Sequence, residues 1–463
     1  MKLLRYPLLM AVSLTMLSAV AAPEGDSTTS LDTEALRQQV ISPADSVMSD
    51  VWTFDDCLNW AKSHNIDLRK SWLSLLLADE DVKSAKDAWL PTVDFSTSHS
   101  FTNYPAPGDG QKNNLYSSSY GIGASWTVWE GNTRKYKLES SKLMRRQQEY
   151  AGESIIVNLE LGILQAYMNI MYNKEAIDIA RQTLEVTNTQ LARAKRLMDT
   201  GRISKVEYAQ FESQQAQDSY SVVQAENAYA SAKMTLKKLL ELGISYDINV
   251  ADVSFPNDEA LAPLPAAQDV YEYASTWLPD IKSNEINKDI YEYDIKTAKA
   301  GYMPRISLSG SIGSGYTTAG NNGWGTQMKN GLNEMVGLSL SVPIFDGNAT
   351  KRAVAKAKLN ALEYELQQES LLNTLSQTIE SLYIDARGAQ AKYRSGLTQL
   401  DATQLTSDLV NRQFELGSVN TLEWLTAHNN LLNARLELLQ SKYMSILSAK
   451  TIEYYASQKI TLP

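Results

Sequence analysis

The chain has one cysteine, Cys57, so an intrachain disulfide is impossible. It has only three histidines, His64, His99 and His428, and none has another histidine or the cysteine at metal-ligand spacing. Adjacent carboxylates such as Asp55-Asp56 and Asp79-Glu80-Asp81 fall on polar helical faces, with nothing convergent beside them for acid–base work. No catalytic residue, cofactor site or metal site is therefore expected, and the chain does not read as an enzyme. Basic residues are outnumbered, 43 Lys and Arg against 53 Asp and Glu, for a net charge of −10, which argues against nucleic acid as a partner. Phenylalanine is scarce, at 7, against 24 Tyr and 9 Trp; amphipathic rings suit a boundary between apolar and wet surroundings. Beyond the N-terminus no run looks long and apolar enough for a membrane-spanning helix, so any membrane location would have to come from β-strands.

The N-terminus carries its own signature. Lys2 and Arg5 precede an apolar stretch from Leu8 to Leu17, and Ala19-Val20-Ala21 fits a small-residue cleavage site. Residues 1–21 read as a cleaved secretory signal, and residues 22–50 as a polar segment with little periodicity. No cysteine stands directly after the cleavage site, so a lipid-anchored N-terminus is not expected. An exported chain of this length without disulfides relies on a large core or on oligomerisation.

The dominant feature is an internal duplication. Gly131 and Gly347, in TVWEG and PIFDG, lie 216 residues apart, as do Tyr167 and Tyr383, Gly201 and Gly417, Glu207 and Glu423, and Tyr208 and Trp424. Upstream, Pro91 in WLPTVDFS and Pro304 in YMPRISLS are offset by 213. Landmarks in this order on nearly one offset indicate two copies of one unit. The first unit spans 51–242 and the second 270–463, joined by an irregular proline-containing stretch over 243–269 that is expected to pack as a belt around the helices.

Each unit reads helix, strand, loop, strand, long helix, turn, helix. The first helix is expected to run without a break from about Phe54 to Ala88, ending at the Pro91 junction. Strands are expected over about 92–102 and 119–129, and again over 305–316 and 335–345. Their residues alternate: Tyr120, Ile122, Ala124, Trp126 and Val128 against Gly121, Gly123, Ser125 and Thr127. In the second unit Val336, Leu338, Leu340, Val342 and Ile344 face away from Gly337, Ser339 and Ser341. A loop rich in Pro, Gly and Asn connects the strands of the first pair, and one rich in Gly and Asn those of the second. This period-two pattern is that of a transmembrane β-barrel, although a half-buried strand of a soluble sheet looks the same locally. Four strands cannot close a barrel in lipid, so a barrel would have to be shared by several chains. The GSIGSG run from Gly310 lacks the Lys-Ser/Thr of a phosphate loop and reads as small residues facing a pore.

The helices after the strands are long. Residues 133–199 hold no proline, which allows a helix of roughly 100 Å, and 350–416 match them in length. Leu375, Ile379, Leu382, Ala386, Ala389 and Tyr393 follow coiled-coil spacing. Gly201 and Gly417 end the long helices at hairpin tips, where a left-handed turn suits glycine.

The duplication, the LP and MP junctions, the WEG and FDG strand ends and the tip segment FELGSVNTLEWLTA together resemble the TolC family of outer-membrane efflux proteins, over about Val51 to the C-terminus. The resemblance implies a mainly α chain with a transmembrane β portion. It implies a homotrimer whose twelve-stranded β-barrel, in outer-membrane lipid, continues into a long periplasmic α-helical barrel. It also implies a passive exit duct for efflux or type I secretion, coupled through a periplasmic adaptor to an inner-membrane transporter. Carried over by position, Gly201, Arg202, Ile203, Gly417, Ser418 and Val419 fall where adaptors dock. Glu423, with Glu207 as its counterpart, Thr426 and Phe414 fall near the pore constriction. Thr426 replaces a second acidic position, Val419 a gating arginine and Phe414 a gating tyrosine, so a closed state here would be held differently. The competing reading of the two glutamates is a solvated residue in the first turn of a helix. A trimeric coiled-coil surface protein without a pore would explain the heptads but not four amphipathic strands in matched hairpins.

Overall fold

The computed structural model describes residues 51–108 and 112–462. The expected signal peptide and the polar segment over 22–50 lie outside the described residues.

Two helices, not one, lead to the first strand: α1 (Phe54–His64) and α2 (Ile66–Asp87). The break is Asn65. Its amide completes α1 by donating to the carbonyl of Ala61 at 2.8 Å, and its Oδ1 accepts from the amides of Asp67 and Leu68, both at 3.0 Å. An asparagine N-cap satisfies donors that a helix start would otherwise leave free. After an irregular stretch with a 3₁₀ turn at Glu259–Leu261, the second unit repeats the break with α5 (Ala267–Trp277) and α6 (Pro279–Ala300). There Pro279 occupies the first helical position, where its missing N–H costs nothing. Both pairs of helices match end for end at the 213-residue offset. Different residues thus make the same joint.

The strands are β1 (Thr92–Asn103), β2 (Asn114–Glu130), β3 (Arg305–Thr317) and β4 (Asn333–Ser341), antiparallel in the order β1-β2-β3-β4. Directly paired residues share a face. Phe95, Ile122 and Ile312 form one row, and Ser96, Gly121 and Gly313 form the next on the opposite face. Continued across the sheet, one face carries Val93, Phe95, Phe101, Ile122, Trp126, Ile306, Leu308, Leu338 and Leu340. The other is almost all Ser, Thr and Gly, with Asp94, Arg305 and Glu130, the partner of Arg305, as its charges. The apolar face is bare: Phe101 is 69 % exposed and Leu338 73 %. The GSIGSG run splits between the faces, with Ser311, Gly313 and Gly315 on the small polar one.

Three details depart from expectation. β2 begins at Asn114, five residues earlier than expected, and its added residues pair with β1 up to Asn103. β4 ends at Ser341, so Val342 and Ile344 lie beyond it. Pro343 has no N–H for a ladder and fixes its own backbone, which stops the strand. The loop before β4 holds a short helix, α7 (Trp324–Asn330). Gln327 secures it by donating to the carbonyls of Thr317 and Asn322 and accepting from the Thr317 amide.

The remaining helices are α3 (Thr133–Asp199), α4 (Lys205–Leu239), α8 (Ala349–Glu415) and α9 (Thr421–Ser457). The two long ones have 67 residues each. On the α8 seam Leu375, Ile379, Ala386, Ala389 and Tyr393 are buried and Leu382 half-buried. One 18-residue stretch of α3 is apolar enough to cross a membrane, contrary to expectation. Core packing accounts for it: Ile163, Leu164, Tyr167, Met168 and Ile170 on that helix belong to the largest buried cluster. The inter-repeat stretch is fastened by side chains of α3, α8 and α9. The hydroxyls of Tyr167, Tyr383 and Ser445 donate to the carbonyls of Ala251, Pro265 and Ala260 at 3.1, 2.6 and 2.5 Å.

Helix packing follows the strand order. Next to the sheet the helices run α2-α3-α6-α8; toward the far ends they run α4-α3-α9-α8. Each row is open at both sides, like the sheet.

At both joints from strand to long helix two consecutive residues are left-handed: Gly131 and Asn132 at φ 62° and 67°, Gly347 and Asn348 at 67° and 66°. A Cβ on Gly131 would also stand 2.6 Å from the Cβ of Met303, whereas nothing lies within 4 Å at Gly347. Gly347→Ala should cost about 1–2 kcal/mol, the ordinary cost of a left-handed alanine. Gly131→Ala should cost clearly more. Thermal unfolding of the two variants in detergent checks this, and equal losses would mean that Met303 yields freely.

Candidate functional site

The candidate site is the pair of hairpin tips, where α3 turns into α4 and α8 into α9. Both close in one way. Gly201 and Gly417 take φ 73° and 76°. The Arg202 amide donates to the Leu197 carbonyl at 2.8 Å and the Gly201 amide to Met198 at 2.9 Å. The Ser418 amide donates to Gln413 at 2.9 Å and the Gly417 amide to Phe414 at 3.1 Å. This double bond pattern satisfies the last carbonyls of each long helix and requires a left-handed residue.

The return helices start with reciprocal caps. Ser204 Oγ accepts from the Glu207 amide at 3.1 Å, and the Glu207 carboxylate accepts from the Ser204 amide at 2.7 Å. In the second hairpin Asn420 Oδ1 accepts from the Glu423 amide at 2.9 Å, and Asn420 Nδ2 donates to the Glu423 carboxylate at 3.1 Å. Each glutamate therefore helps to start its helix, which fits a carboxylate near the positive end of a helix dipole. Glu423 and Thr426 remain exposed; Glu207 is half-exposed. At the turns Gly201, Arg202, Gly417 and Ser418 are exposed, while Ile203 and Val419 are half-buried against the tip cluster. Leu416, Val206 and Leu422 stand out, at 81 %, 69 % and 65 % exposed.

Phe414 points elsewhere. It is buried in a cluster with Ala194, Phe211 and Trp424, its ring centroid 5.6 Å from that of Phe211. A ring held there packs the two hairpins of one chain together. Trp424 adds a donor bond to Asn411 Oδ1.

Sequence reasoning missed what lies behind this cluster. His428 is buried and stacked on Trp424 with centroids 4.8 Å apart. Its Nε2 is 3.2 Å from Asp218 Oδ2 on α4 and 3.2 Å from Thr187 Oγ1 on α3. The Thr187 hydroxyl donates to Asp218 at 2.5 Å and the Gln214 amide donates to its other oxygen at 2.8 Å. Burial pushes the Asp218 carboxyl up, but the hydrogen bonds from His428, Thr187 and Gln214 and the attraction of His428 outweigh it, and the group sits below the ordinary carboxylate value. The one available hint was spacing: His428 follows Trp424 by four residues, on the same helix face. No group of three or more potential metal donors occurs among the described residues.

Comparison with known proteins supplies the context. The family described as outer membrane efflux protein matches residues 57–241 and 274–452. The chain is 21% identical over 401 residues to outer membrane efflux protein BepC of Brucella suis biovar 1 (strain 1330), covering 86% of this chain and 83% of that one. It is 22% identical over 404 residues to outer membrane protein TolC of Escherichia coli (strain K12), covering 85% and 80%. Among solved structures, the outer-membrane channel OprN shares the fold at a TM-score of 0.71 and 20% identity, over 89% of this chain and 93% of that one. The open state of the Neisseria gonorrhoeae MtrE outer membrane channel does so at 0.65 and 19%, over 90% and 94%.

Because the Asp218 carboxyl is held below its ordinary value, its stabilising contribution is complete above about pH 3.9 and is lost only as pH falls through the depressed value. Asp218→Asn should cost about 2 kcal/mol, the scale of a hydrogen bond to a charged group. The gap in melting temperature between wild type and variant should persist from pH 7 to pH 5 and close only in stronger acid. A gap that closes by pH 5 would mean that the carboxylate is not held by this cluster.

Proposed function

The chain belongs to the outer membrane efflux protein family, and from that premise we propose that three copies build one continuous duct through and below the outer membrane. The observation that carries the reading is the four-stranded sheet: one face apolar and bare, the other lined with Ser, Thr and Gly, and no partner among the described residues on the outer edge of β1 or β4. Unpaired edges are excluded from hydrocarbon, so β4 of one chain pairs with β1 of the next. Two copies would give eight strands, whose interior side chains fill. Three copies, the number that the family resemblance implies, give twelve and leave a lumen.

The helices follow the strands. The open sides α4 and α8 of the lower row carry exposed apolar residues, among them Val223 and Met234 on α4 and Leu405 and Leu409 on α8. They meet between neighbouring chains and close an α-helical barrel on the periplasmic side. The duct is passive. An inner-membrane transporter supplies the energy, and a periplasmic adaptor docks on the tips at Gly201, Arg202, Ile203, Gly417, Ser418 and Val419. Three copies of Glu423 line the narrow end, where a ring of carboxylates attracts cations. Thr426 lies one turn further along the same helix, and Glu207 chiefly caps its own helix. A solvated coiled-coil protein without a pore would have no use for the bare apolar sheet face.

The native mass of the protein extracted in mild detergent from the outer-membrane fraction tests the assembly. A trimer that conducts ions in a planar bilayer is the expected result; a soluble periplasmic monomer would sink the proposal. Glu423→Gln should reduce the cation preference of that conductance, and unchanged selectivity would remove Glu423 from the constriction. Gly417→Val should weaken export by straining the tip while trimers still form; normal export would show that the left-handed turn is dispensable.

A further inference from the structure

The apolar face of the sheet changes character part-way along the strands. At the end near the helices its rows are Trp126, Leu308 and Leu338, then Val93, Ala124, Gly310 and Val336, then Phe95, Ile122 and Ile312. Glu334 closes the last of these rows on β4. Beyond it the same face carries Thr97, Tyr120 and Ser314, then His99, Ser118 and Tyr316, then Phe101 and Tyr116. Of these side chains only Phe101 lacks a hydrogen-bonding group.

The side chains of this band are joined. His99 Nδ1 lies 2.8 Å from the Tyr116 hydroxyl, and His99 Nε2 lies 3.3 Å from Thr97 Oγ1. The His99 ring is 5.5 Å from that of Tyr120, and the Tyr116 ring 6.3 Å from that of Tyr316. Ser314 is already engaged, donating to the Met328 carbonyl at 2.6 Å. Ser118 stands in the middle, flanked across the ladder by His99 and Tyr316. It is only 4 % exposed although the face is bare, and its hydroxyl has no hydrogen-bond partner among the described residues. A buried hydroxyl without a partner costs free energy, and a polar ligand entering between the rings would satisfy it.

Two charged groups bracket the band. Glu334 belongs to a row four residues down the ladder from Ser118, roughly 13 Å away. Lys112 is at the other edge, where its ammonium donates to the carbonyl of Thr318, whose amide donates to the Tyr116 carbonyl. In the duct reading, on which this inference rests, the apolar face meets lipid. The band then lies in the outer leaflet, at the end of the strands away from the helices. Rings with polar tips settle where one side is apolar and the other wet. A plain boundary of rings, however, has no use for a connected network around an unpartnered serine. The band covers about 13 Å along the strands and about 10 Å across three of them, more than one phosphate group occupies. Its mixture of donors and acceptors suits the hydroxyls of a sugar, and Lys112 suits a phosphate carried on that sugar.

We propose that His99, Tyr116, Ser118, Tyr120 and Tyr316 form a site for the phosphorylated sugar headgroup of an outer-leaflet lipid, one site per chain, with Lys112 at the phosphate. The apolar rows below the site receive the acyl chains. The duct reading says only that lipid surrounds the barrel; this site selects which lipid is held.

Native mass spectrometry of delipidated trimers in detergent tests it. The probes are lipid A (an acylated, doubly phosphorylated glucosamine disaccharide), its dephosphorylated form, and phosphatidylglycerol. Wild type should take up one lipid A per chain, roughly ten-fold more tightly than either other probe. Tyr116→Phe with Tyr120→Phe and Tyr316→Phe keeps the rings, removes the hydroxyls and should weaken lipid A by roughly ten-fold. Lys112→Gln should weaken lipid A and leave the dephosphorylated form unchanged. If the triple variant does not assemble, His99→Gln replaces it with the same expected loss. Wild-type affinity in the variant used would reduce the rings to an unselective boundary and overturn the site. Equal binding of the dephosphorylated form would remove the phosphate from the proposal, and equal binding of phosphatidylglycerol would remove the sugar; either result overturns it, as does a trimer that takes up no lipid A. A wild-type chain that is not a trimer in the outer-membrane fraction refutes the duct reading itself.

Discussion

The unpaired edges of a four-stranded sheet govern everything else in this protein. A strand edge in hydrocarbon leaves a row of amide and carbonyl groups without partners, and each such group costs several kcal/mol. One chain cannot remove its own edges, because β1 and β4 lie at opposite sides of the sheet. The same openness runs down the molecule, since the helices that precede and follow the strands keep the strand order. Association is therefore a condition of membrane insertion, not an embellishment of a finished fold. The bare apolar residues on one sheet face and on the free sides of α4 and α8 follow from it.

Duplication explains how one chain supplies such a wide arc. The helices before the strands keep a 213-residue offset and the long helices a 216-residue offset, and the change falls across the hairpins. The second hairpin loop contains α7, so the loop absorbs the difference and the helices do not. What is kept between the copies is backbone geometry: paired left-handed residues at each strand-to-helix joint, and a left-handed glycine at each tip. What is not kept is the chemistry that achieves a given geometry. Asn65 breaks one entry helix by capping it and Pro279 breaks the other by starting it.

This contrast explains what could be read from the sequence. Strand faces, long helices and tip glycines announce themselves through periodicity and through residues with a special backbone role. The Asn65 break was hidden because an asparagine inside a helical pattern is read as a polar residue until its Oδ1 is seen to accept two amides. The stop at Ser341 was written in Pro343, but the alternation of Val342 and Ile344 masked it. At the tips, Glu207 and Glu423 were visible by offset, and their shared capping geometry agrees with that equivalence. The burial of Phe414 between the hairpins was not legible, because position along a motif says nothing about which way a ring turns. The Asp218–His428 pair had no local signature: its members are 210 residues apart and come from the two different repeats.

Polar and apolar contacts are distributed unevenly between the inside of a chain and the sides that must meet other chains. Within a chain, a carboxylate is buried and given every donor it needs from three helices. A site of this kind tolerates little displacement, because each lost bond leaves a charge in a low-dielectric pocket. On the open sides, the described surface offers backbone groups on the strands and, on the helices, exposed aliphatic side chains such as Leu405 and Leu409 among charged ones such as Asp408 and Arg412. The strand contacts are directional and continuous, and so resist separation inside the bilayer. The aliphatic helix contacts are non-directional and tolerate sliding near water. A duct that must stay sealed in lipid calls for that order of strengths between chains: fixed at the sheet and looser along the helices.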